Sequence, residues 1–245
     1  MHSARLFGTM ARVLKRYSMV GLFGGVTGLA TWYGCAGVNS DYVPINPSTD
    51  NPDAGESGPP DLTCLKSPDE DLPDDSGLDT NCDGIDGDES RAIFASPTGD
   101  DANLGTKESP VKTISKAISL AVAQKKSSVY LSAARDAMGN ILKYSETNNA
   151  PLALAAGVNL YGGYDATRQW LRSKGNYAIF AGGVKAVIAD RIDMPTTIDT
   201  MSISSASATT ASGSSYGLMV TNGTAALIIK NSVIRAGDGA NGSDG

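Results

Sequence analysis

The sequence predicts an all-β domain whose short strands stack as a solenoid, with a single helix near its start. From residue 158 onward, short β-rich runs alternate with turn residues. The runs Ile198–Ile203 and Ile229–Ile234 align 31 residues apart with their apolar positions preserved. A repeat of this length, made of strands without long helices, is typical of a solenoid. A β-sandwich, which also has short strands at regular spacing, is the alternative.

Charge divides the chain into three parts. Residues 1–49 carry a net charge of +3, residues 50–90 carry -13 and residues 91–245 carry +4, which gives the overall -6. A chain this acidic lacks the basic face that a nucleic-acid partner requires. The single histidine, His2, lies at the extreme N-terminus, so histidine triads and histidine zinc sites are excluded.

Residues 1–34 are predicted to be an export signal. Four basic residues between Arg5 and Arg16 precede an apolar, glycine-rich run and a small residue directly before Cys35. This is the pattern of a secretory signal peptide, and the glycines disfavour a membrane-spanning helix. The segment resembles a bacterial lipoprotein signal, although Trp32 stands where such signals usually carry leucine. The resemblance implies lipidation of Cys35, a membrane partner and an outer-membrane location; an uncleaved anchor or ordinary secretion to the exterior is the alternative.

The cysteine count agrees with a lipid anchor. An exported protein is not expected to carry a stray thiol, so lipidation of Cys35 would leave Cys64 and Cys82 as one disulfide pair. Residues 35–60 are dominated by Pro, Gly, Ser, Asn and Asp. That composition predicts a disordered tether that holds the following domain away from a membrane.

The next segment, residues 61–91, is strongly acidic and contains half of a calcium-loop motif. Residues 79–85 read D-T-N-C-D-G-I, in which alternating oxygen side chains point into one turn and Gly84 lets the backbone bend. Ser90 stands where a complete loop would have a bidentate Glu. We expect a structural calcium ion; an acidic linker that binds no metal tightly is the alternative. The candidate ligands are Asp79, Asn81, Asp83, Ile85, Asp86 and Asp88.

Residues 92–245 are predicted to form the main domain. A strand at Ile93–Ala95 leads into a turn, and apolar residues at helical spacing then predict a helix at about residues 110–124. Strands are predicted at Val129–Leu131 and at five later runs, namely Val158–Tyr161, Ala186–Ile192, Thr196–Ser204, Gly217–Thr221 and Ala225–Arg235. Asn222 and Asn231 suit the turns between them.

The pattern G-x-D-x-N-x-G-T-x-x-x-P-x-x-T-I-x-x-A, from Gly99 to Ala117, resembles the entry cap of right-handed parallel β-helix proteins of the pectate-lyase-like type. Many uncharacterised bacterial surface proteins share it. A Tyr-x-Glu step at Tyr144 and Glu146 and the strand G-V-N-L-Y-G-G-Y resemble the first coils. The resemblance implies a right-handed parallel β-helix whose open end the cap helix covers. The last ten residues are glycine-rich and carry no closing strand. We therefore expect either a truncated solenoid or an open final loop.

Two functions follow from this organisation. A lipid anchor, a tether, an acidic neck and a β-helix would make a surface protein with a structural or glycan-binding role, whose partner would be a polysaccharide or envelope glycan. Tyr161, Tyr164 and Trp170 are candidates for stacking on sugars, with packing near the cap as their alternative. The second function is a calcium-dependent polysaccharide lyase, which needs carboxylate ligands and a Lys or Arg base on successive coils. Asp190, Arg191, Asp193, Lys230 and Arg235 supply such groups, but no residue is assigned a catalytic role.

Overall fold

The structure, a computed structural model, describes residue 64 and residues 66–243. In that part of the chain one α-helix, α1 (Ile114–Gln124), accompanies three single-turn 3₁₀ helices and a set of short strands. In chain order the strands are β1 (Ala92–Ala95), β2 (Ser128–Ser132), β3 (Lys143–Tyr144), β4 (Leu152–Ala153), β5 (Asn159–Asp165), β6 (Leu171–Arg172), β7 (Ala178–Gly182), β8 (Lys185–Asp190), β9 (Thr196–Asp199), β10 (Met201–Ser205), β11 (Tyr216–Thr221), β12 (Leu227–Lys230) and β13 (Val233–Arg235).

The strands form three sheets in which almost every pairing is parallel. The first sheet runs β1-β2-β5-β9-β12, the second β13-β10-β7-β3 and the third β11-β8-β4, while β6 pairs antiparallel with β5. Successive strands therefore belong to different sheets, and each returns beside the strand of the previous round. This confirms the prediction of an all-β, parallel-strand fold.

The core lies between the three sheets. Because successive strand residues point to opposite faces, alternate positions of each strand enter it. Val129 and Leu131 of β2, Leu160 of β5 and Phe180 of β7 belong to this one apolar cluster. Tyr144 is also buried there, and its hydroxyl donates to the carbonyls of Ala95 (2.7 Å) and Ser132 (2.9 Å). The tyrosine of the Tyr-x-Glu step thus connects the first rounds of strands.

The first sheet is buried on its outer face as well. Phe94, Tyr130, Tyr161 and Tyr164 point away from the core into a second cluster. Strands buried on both faces read as continuous apolar runs rather than as alternating ones. This explains the composition of the Val129–Leu131 run.

Helix α1 covers the start of the first and third sheets, as the cap pattern predicts. It begins at Ile114, later than the expected residue 110, because Val111 forms a parallel bridge with Ala95. Thr113 caps the helix by accepting from the Lys116 N–H. The Glu146 carboxylate accepts from the Ser115 N–H at 3.1 Å, so the glutamate of the Tyr-x-Glu step satisfies a second free donor.

The predicted repeat of 31 residues is confirmed by the strand register. Ile198 pairs with Ile229 and Ile203 pairs with Ile234. The predicted strand Thr196–Ser204 is interrupted, however, because Thr200 adopts a left-handed conformation with φ of 53°. The turn separates β9 from β10, and Asn231 makes the same turn one repeat later with φ of 43°.

Candidate functional site

The acidic segment docks against the outer face of the first sheet. We refer to residues 61–91 as the neck. Cys64 and Cys82 form a disulfide with their Cα atoms 5.7 Å apart. Beyond it, the Tyr164 hydroxyl donates to the carbonyl of Asp86 at 2.6 Å, and the Asp88 N–H donates to the Tyr130 hydroxyl at 2.9 Å. Aromatic residues of the strands thereby hold the backbone of the neck.

A buried arginine joins the neck to two strands. The Arg172 guanidinium lies 3.2 Å from the Asp86 carboxylate and 3.5 Å from the Asp199 carboxylate. Its remaining donors reach the carbonyl of Gly162 at 3.1 Å, the carbonyl of Asp74, and the Thr200 hydroxyl. We call Arg172, Asp86 and Asp199 the arginine network. All three side chains are almost fully buried, so each charge depends on the others.

One carboxylate of the network is hard to ionise. Burial raises the pKa of Asp86 to about 6, against the opposing attraction of Arg172 and the hydrogen bond from the Asp74 N–H. The attraction of Arg172 is divided, because Asp199 shares the same guanidinium. The network is therefore sensitive to pH near neutrality.

The calcium-like motif forms a tight turn that hydrogen-bonds to itself. The Asp79 carboxylate accepts from the N–H groups of Cys82 (2.6 Å) and Gly84 (2.8 Å). The side chain of Asn81 accepts from the Asp83 N–H, and the Asp83 carboxylate accepts from the Ile85 N–H. Gly84 has φ of 95°, as the bend requires. Asp79, Asn81 and Asp83 are thus brought onto one turn.

The other candidate calcium ligands lie elsewhere. Asp86 faces Arg172, and Asp88 caps the 3₁₀ turn Glu89–Arg91 by accepting from the Ser90 N–H and hydroxyl. Asn81 and Asp83 instead line an open cleft of about 620 Å³ with further acidic residues. Within residue 64 and residues 66–243, no group of three His, Cys, Asp or Glu side chains has the arrangement of a metal site. The carboxylates that line the cleft are Asp69, Glu70, Asp71, Asp83, Asp88 and Glu89.

The three candidate sugar-stacking residues do not reach the surface, which corrects that expectation. Tyr161, Tyr164 and Trp170 are at most 6% exposed. Tyr164 stacks on Tyr130 with ring centroids 4.8 Å apart, and Trp170 packs edge-on against Phe94 at the same distance. Their ring faces are covered by other rings and by the neck. Packing near the cap, the alternative interpretation, is what the structure shows.

The residues considered for a lyase are divided between the sheets. Asp190 lies at the end of β8 and bonds to Thr221 and Asn222 of the next repeat, whereas Arg235 lies at the end of β13. Lys230 is different, because its register partner on the adjacent strand is Asp199. The two line a cavity of about 480 Å³ together with Asp74, Asp75 and Asn231.

The arginine network could not be recognised in the sequence. Arg172 and Asp86 are 86 residues apart, and neither belongs to a motif. The only local signal is that Arg172 follows an apolar hairpin whose strand is otherwise buried. The predicted lipidation site, Cys35, lies outside the described residues, as do the signal peptide and the tether. Among the described residues, none of the helices has the length and apolar character needed to span a bilayer.

Comparisons with known proteins place the chain in a family. No curated protein and no solved structure matches it. Residues 97–237 match the family model described as a protein of unknown function, DUF1565. The match begins within the turn that precedes α1 and ends after β13, so it covers the cap and the parallel sheets. Since the match includes more than half of its 245 residues, the chain belongs to the DUF1565 family.

Proposed function

We propose that the protein is an exported, lipid-anchored cell-surface protein whose neck presents a right-handed parallel β-helix with a structural or glycan-binding role. The docking of the neck carries this proposal. A disulfide, two tyrosine hydroxyls and the buried Arg172 connect the neck to the first strands. A neck attached this firmly suits a domain that is held at a fixed distance from its anchor.

The β-helix supplies the presented surface. Consecutive strands visit the three sheets in turn, and the 31-residue register recurs between β8 and β11, β9 and β12, and β10 and β13. Crossover connections between parallel strands are right-handed in nearly all proteins, which supports that hand for the coils. A solenoid of this kind offers an extended face along its length.

Export is supported by the disulfide and tested through Cys35. Disulfides persist in oxidising compartments outside the cytoplasm. Pairing of Cys64 with Cys82 leaves Cys35 as the single remaining cysteine. Metabolic labelling with palmitate should label the protein and be lost in Cys35→Ser. Cys64→Ser is the matched control and should keep the label; label retained in Cys35→Ser contradicts a lipid anchor.

Calcium binding at the turn of residues 79–85 is a further part of the proposal. The donor chemistry fits, because oxygen atoms of Asp79, Asn81 and Asp83 lie on one turn beside an acidic cleft. A bound cation would relieve the mutual repulsion of these carboxylates. Calcium should protect the neck from protease, and Asp83→Ala should remove that protection. Asp136→Ala, in another acidic turn, is the control; equal cleavage of the unchanged protein with and without calcium would refute the site.

A polysaccharide lyase is the alternative function, favoured by one observation. Lys230 and Asp199 are neighbours on adjacent strands and share a cavity with Asp75. A lysine base beside carboxylates is the arrangement that calcium-assisted β-elimination on a polyuronate requires. The test is ultraviolet absorbance of the unsaturated product with calcium present. Product that disappears in Lys230→Ala but not in Lys185→Ala would establish the lyase over the binding role.

A further inference from the structure

A basic pocket lies beside the β5–β6 hairpin and belongs to none of the sites described above. It has a volume of about 320 Å³, and Arg135, Arg168 and Lys174 contribute cationic side chains to its lining. Asp165 is the single acidic residue in that lining. We propose that this pocket binds a carboxylate group of an acidic saccharide. The inference rests on the proposed glycan-binding role and gives it a site and a ligand class.

The two arginines are positioned with donors to spare. One amino group of Arg135 donates to the Gly139 carbonyl at 2.9 Å, which fixes the side chain and leaves its other donors open. Arg168 ends the 3₁₀ turn Ala166–Arg168, which Asp165 caps through the Thr167 N–H. In the described part of the chain neither arginine forms a salt bridge. Both present a planar fork that matches a carboxylate.

The charge of the pocket remains positive after its acidic neighbours are counted. The Asp165 carboxylate oxygen that caps the turn also accepts from the Thr167 hydroxyl at 2.6 Å, so it is already engaged. Lys174 pairs with Asp75 at 2.6 Å, but both side chains are more than half exposed, and such pairs exchange readily. Three cations therefore face Asp165 and Asp75. An incoming anion would be attracted even though the whole chain is acidic.

The rest of the lining suits a sugar rather than a free anion. Leu171 is 49% exposed at the pocket and offers apolar surface to the C–H face of a ring. Ser173 and Asn176 add polar groups beside it. At Gly175, with φ of 85°, the position of an added Cβ has no neighbour within 4 Å, so the backbone there lies open. Charged, apolar and polar groups together match a uronate residue within a chain.

The test compares a short oligogalacturonate with its methyl ester, in which the carboxylates are masked. Binding to the purified protein is followed by isothermal titration calorimetry. We expect the acid to bind and the ester to bind at least about tenfold more weakly, since hydrogen bonds to charged groups contribute most. Arg135→Gln with Arg168→Gln should weaken binding of the acid by about tenfold or more. Arg191→Gln, an exposed arginine paired with Asp190, is the control and should change the affinity by less than about twofold. Binding should also weaken as salt is added.

The outcomes separate this inference from the proposed function. Binding of the acid that the double variant leaves unchanged would overturn the pocket and keep a glycan-binding role. Equal binding of acid and ester would overturn the carboxylate preference while that role stands. A protein that binds neither, with circular dichroism showing it folded, would refute both the pocket and the glycan-binding role. Inorganic phosphate that competes with the acid at equal charge would replace the saccharide by a general anion as the ligand.

Discussion

The outer face of the first sheet changes character between β5 and β9. On β1, β2 and β5 it carries Phe94, Tyr130 and Tyr164, which are buried under the neck. One strand further along, β9 presents Asp199 there, still buried by the arginine network, and β12 presents Lys230, which is exposed. The same sheet is thus a covered interface at one end and a solvent-facing surface at the other.

The two regions also differ in how far along the chain their stabilising contacts reach. The neck is held by bonds that join residues 42 to 98 positions apart, such as those of Tyr130 and Arg172. The last repeat is held by bonds that join residues about one repeat apart, for example Thr221 to Asp190 and Thr224 to Ile192. The neck interface therefore depends on a few buried groups, whereas the repeats depend on many small contacts that recur in each round.

The largest effect is expected from removing the arginine. Arg172→Met would leave Asp86 and Asp199 buried without their partner, and breaking a buried ion pair costs about 3–5 kcal/mol. Denaturation with urea would measure the free energy of unfolding. Arg191→Met, which breaks an exposed pair with Asp190, should cost less than about 1 kcal/mol. Equal losses in the two variants would contradict the distinction between the regions.

The disulfide should affect the neck alone. Replacing both Cys64 and Cys82 by serine opens a loop with a sequence separation of 18 residues, which corresponds to about 3 kcal/mol in the chain-entropy model. Limited proteolysis with mass spectrometry should then show faster cleavage within residues 66–90. Cleavage within residues 185–235 should keep its rate, because no contact of that repeat passes through the cysteines. Faster cleavage of both segments would show that the neck and the repeats unfold together.

The pKa of Asp86 gives the neck a dependence on pH opposite to that of most carboxylates. Its value of about 6 exceeds the model value of 3.8, so the folded protein binds the proton more tightly than the unfolded chain. Stability from this group is greatest below pH 3.8 and is lost as the pH rises to 6, by at most about 3 kcal/mol. The carboxylates of Asp74 and Asp75 act in the other direction, because hydrogen bonds from Ser76 and Lys174 respectively lower their pKa values.

The comparison that isolates Asp86 is therefore between the unchanged protein and Asp86→Asn. Their difference in melting temperature, measured from pH 4 to pH 7, should favour the unchanged protein increasingly as the pH falls. A difference that stays constant over this range would show that Asp86 keeps an ordinary pKa in the folded protein.

How much the sequence predicts also differs between the two regions. The 31-residue register was predicted because apolar residues recur at Ile198 and Ile229, a signal carried by neighbouring coils. The strand Ala178–Gly182 was missed, since its short run follows a turn and lacks a repeat partner at that spacing; its neighbour β10 is 23 residues away. The burial of Tyr164 and Trp170 was left open, because an aromatic residue beside a strand reads the same whether or not another segment covers it. Only the neck decides, and its docking depends on contacts that no local pattern records.

The smallest effect concerns the turns that the two repeats share. Arg191 and Asn222 occupy equivalent positions 31 residues apart, with φ of 50° and 47°. Asparagine tolerates the left-handed region better than arginine does, because its short side chain bonds locally to the backbone. Arg191→Asn should therefore stabilise the protein by about 0.5 kcal/mol, although it removes an exposed ion pair. Asn222→Arg is the reciprocal variant and should destabilise by a similar amount, and by somewhat more because its amide also bonds to Asp190 at 2.9 Å. If Arg191→Asn destabilised the protein as much as Asn222→Arg does, the repeats would be distinguished by their side-chain contacts and not by the shared conformation of the turn.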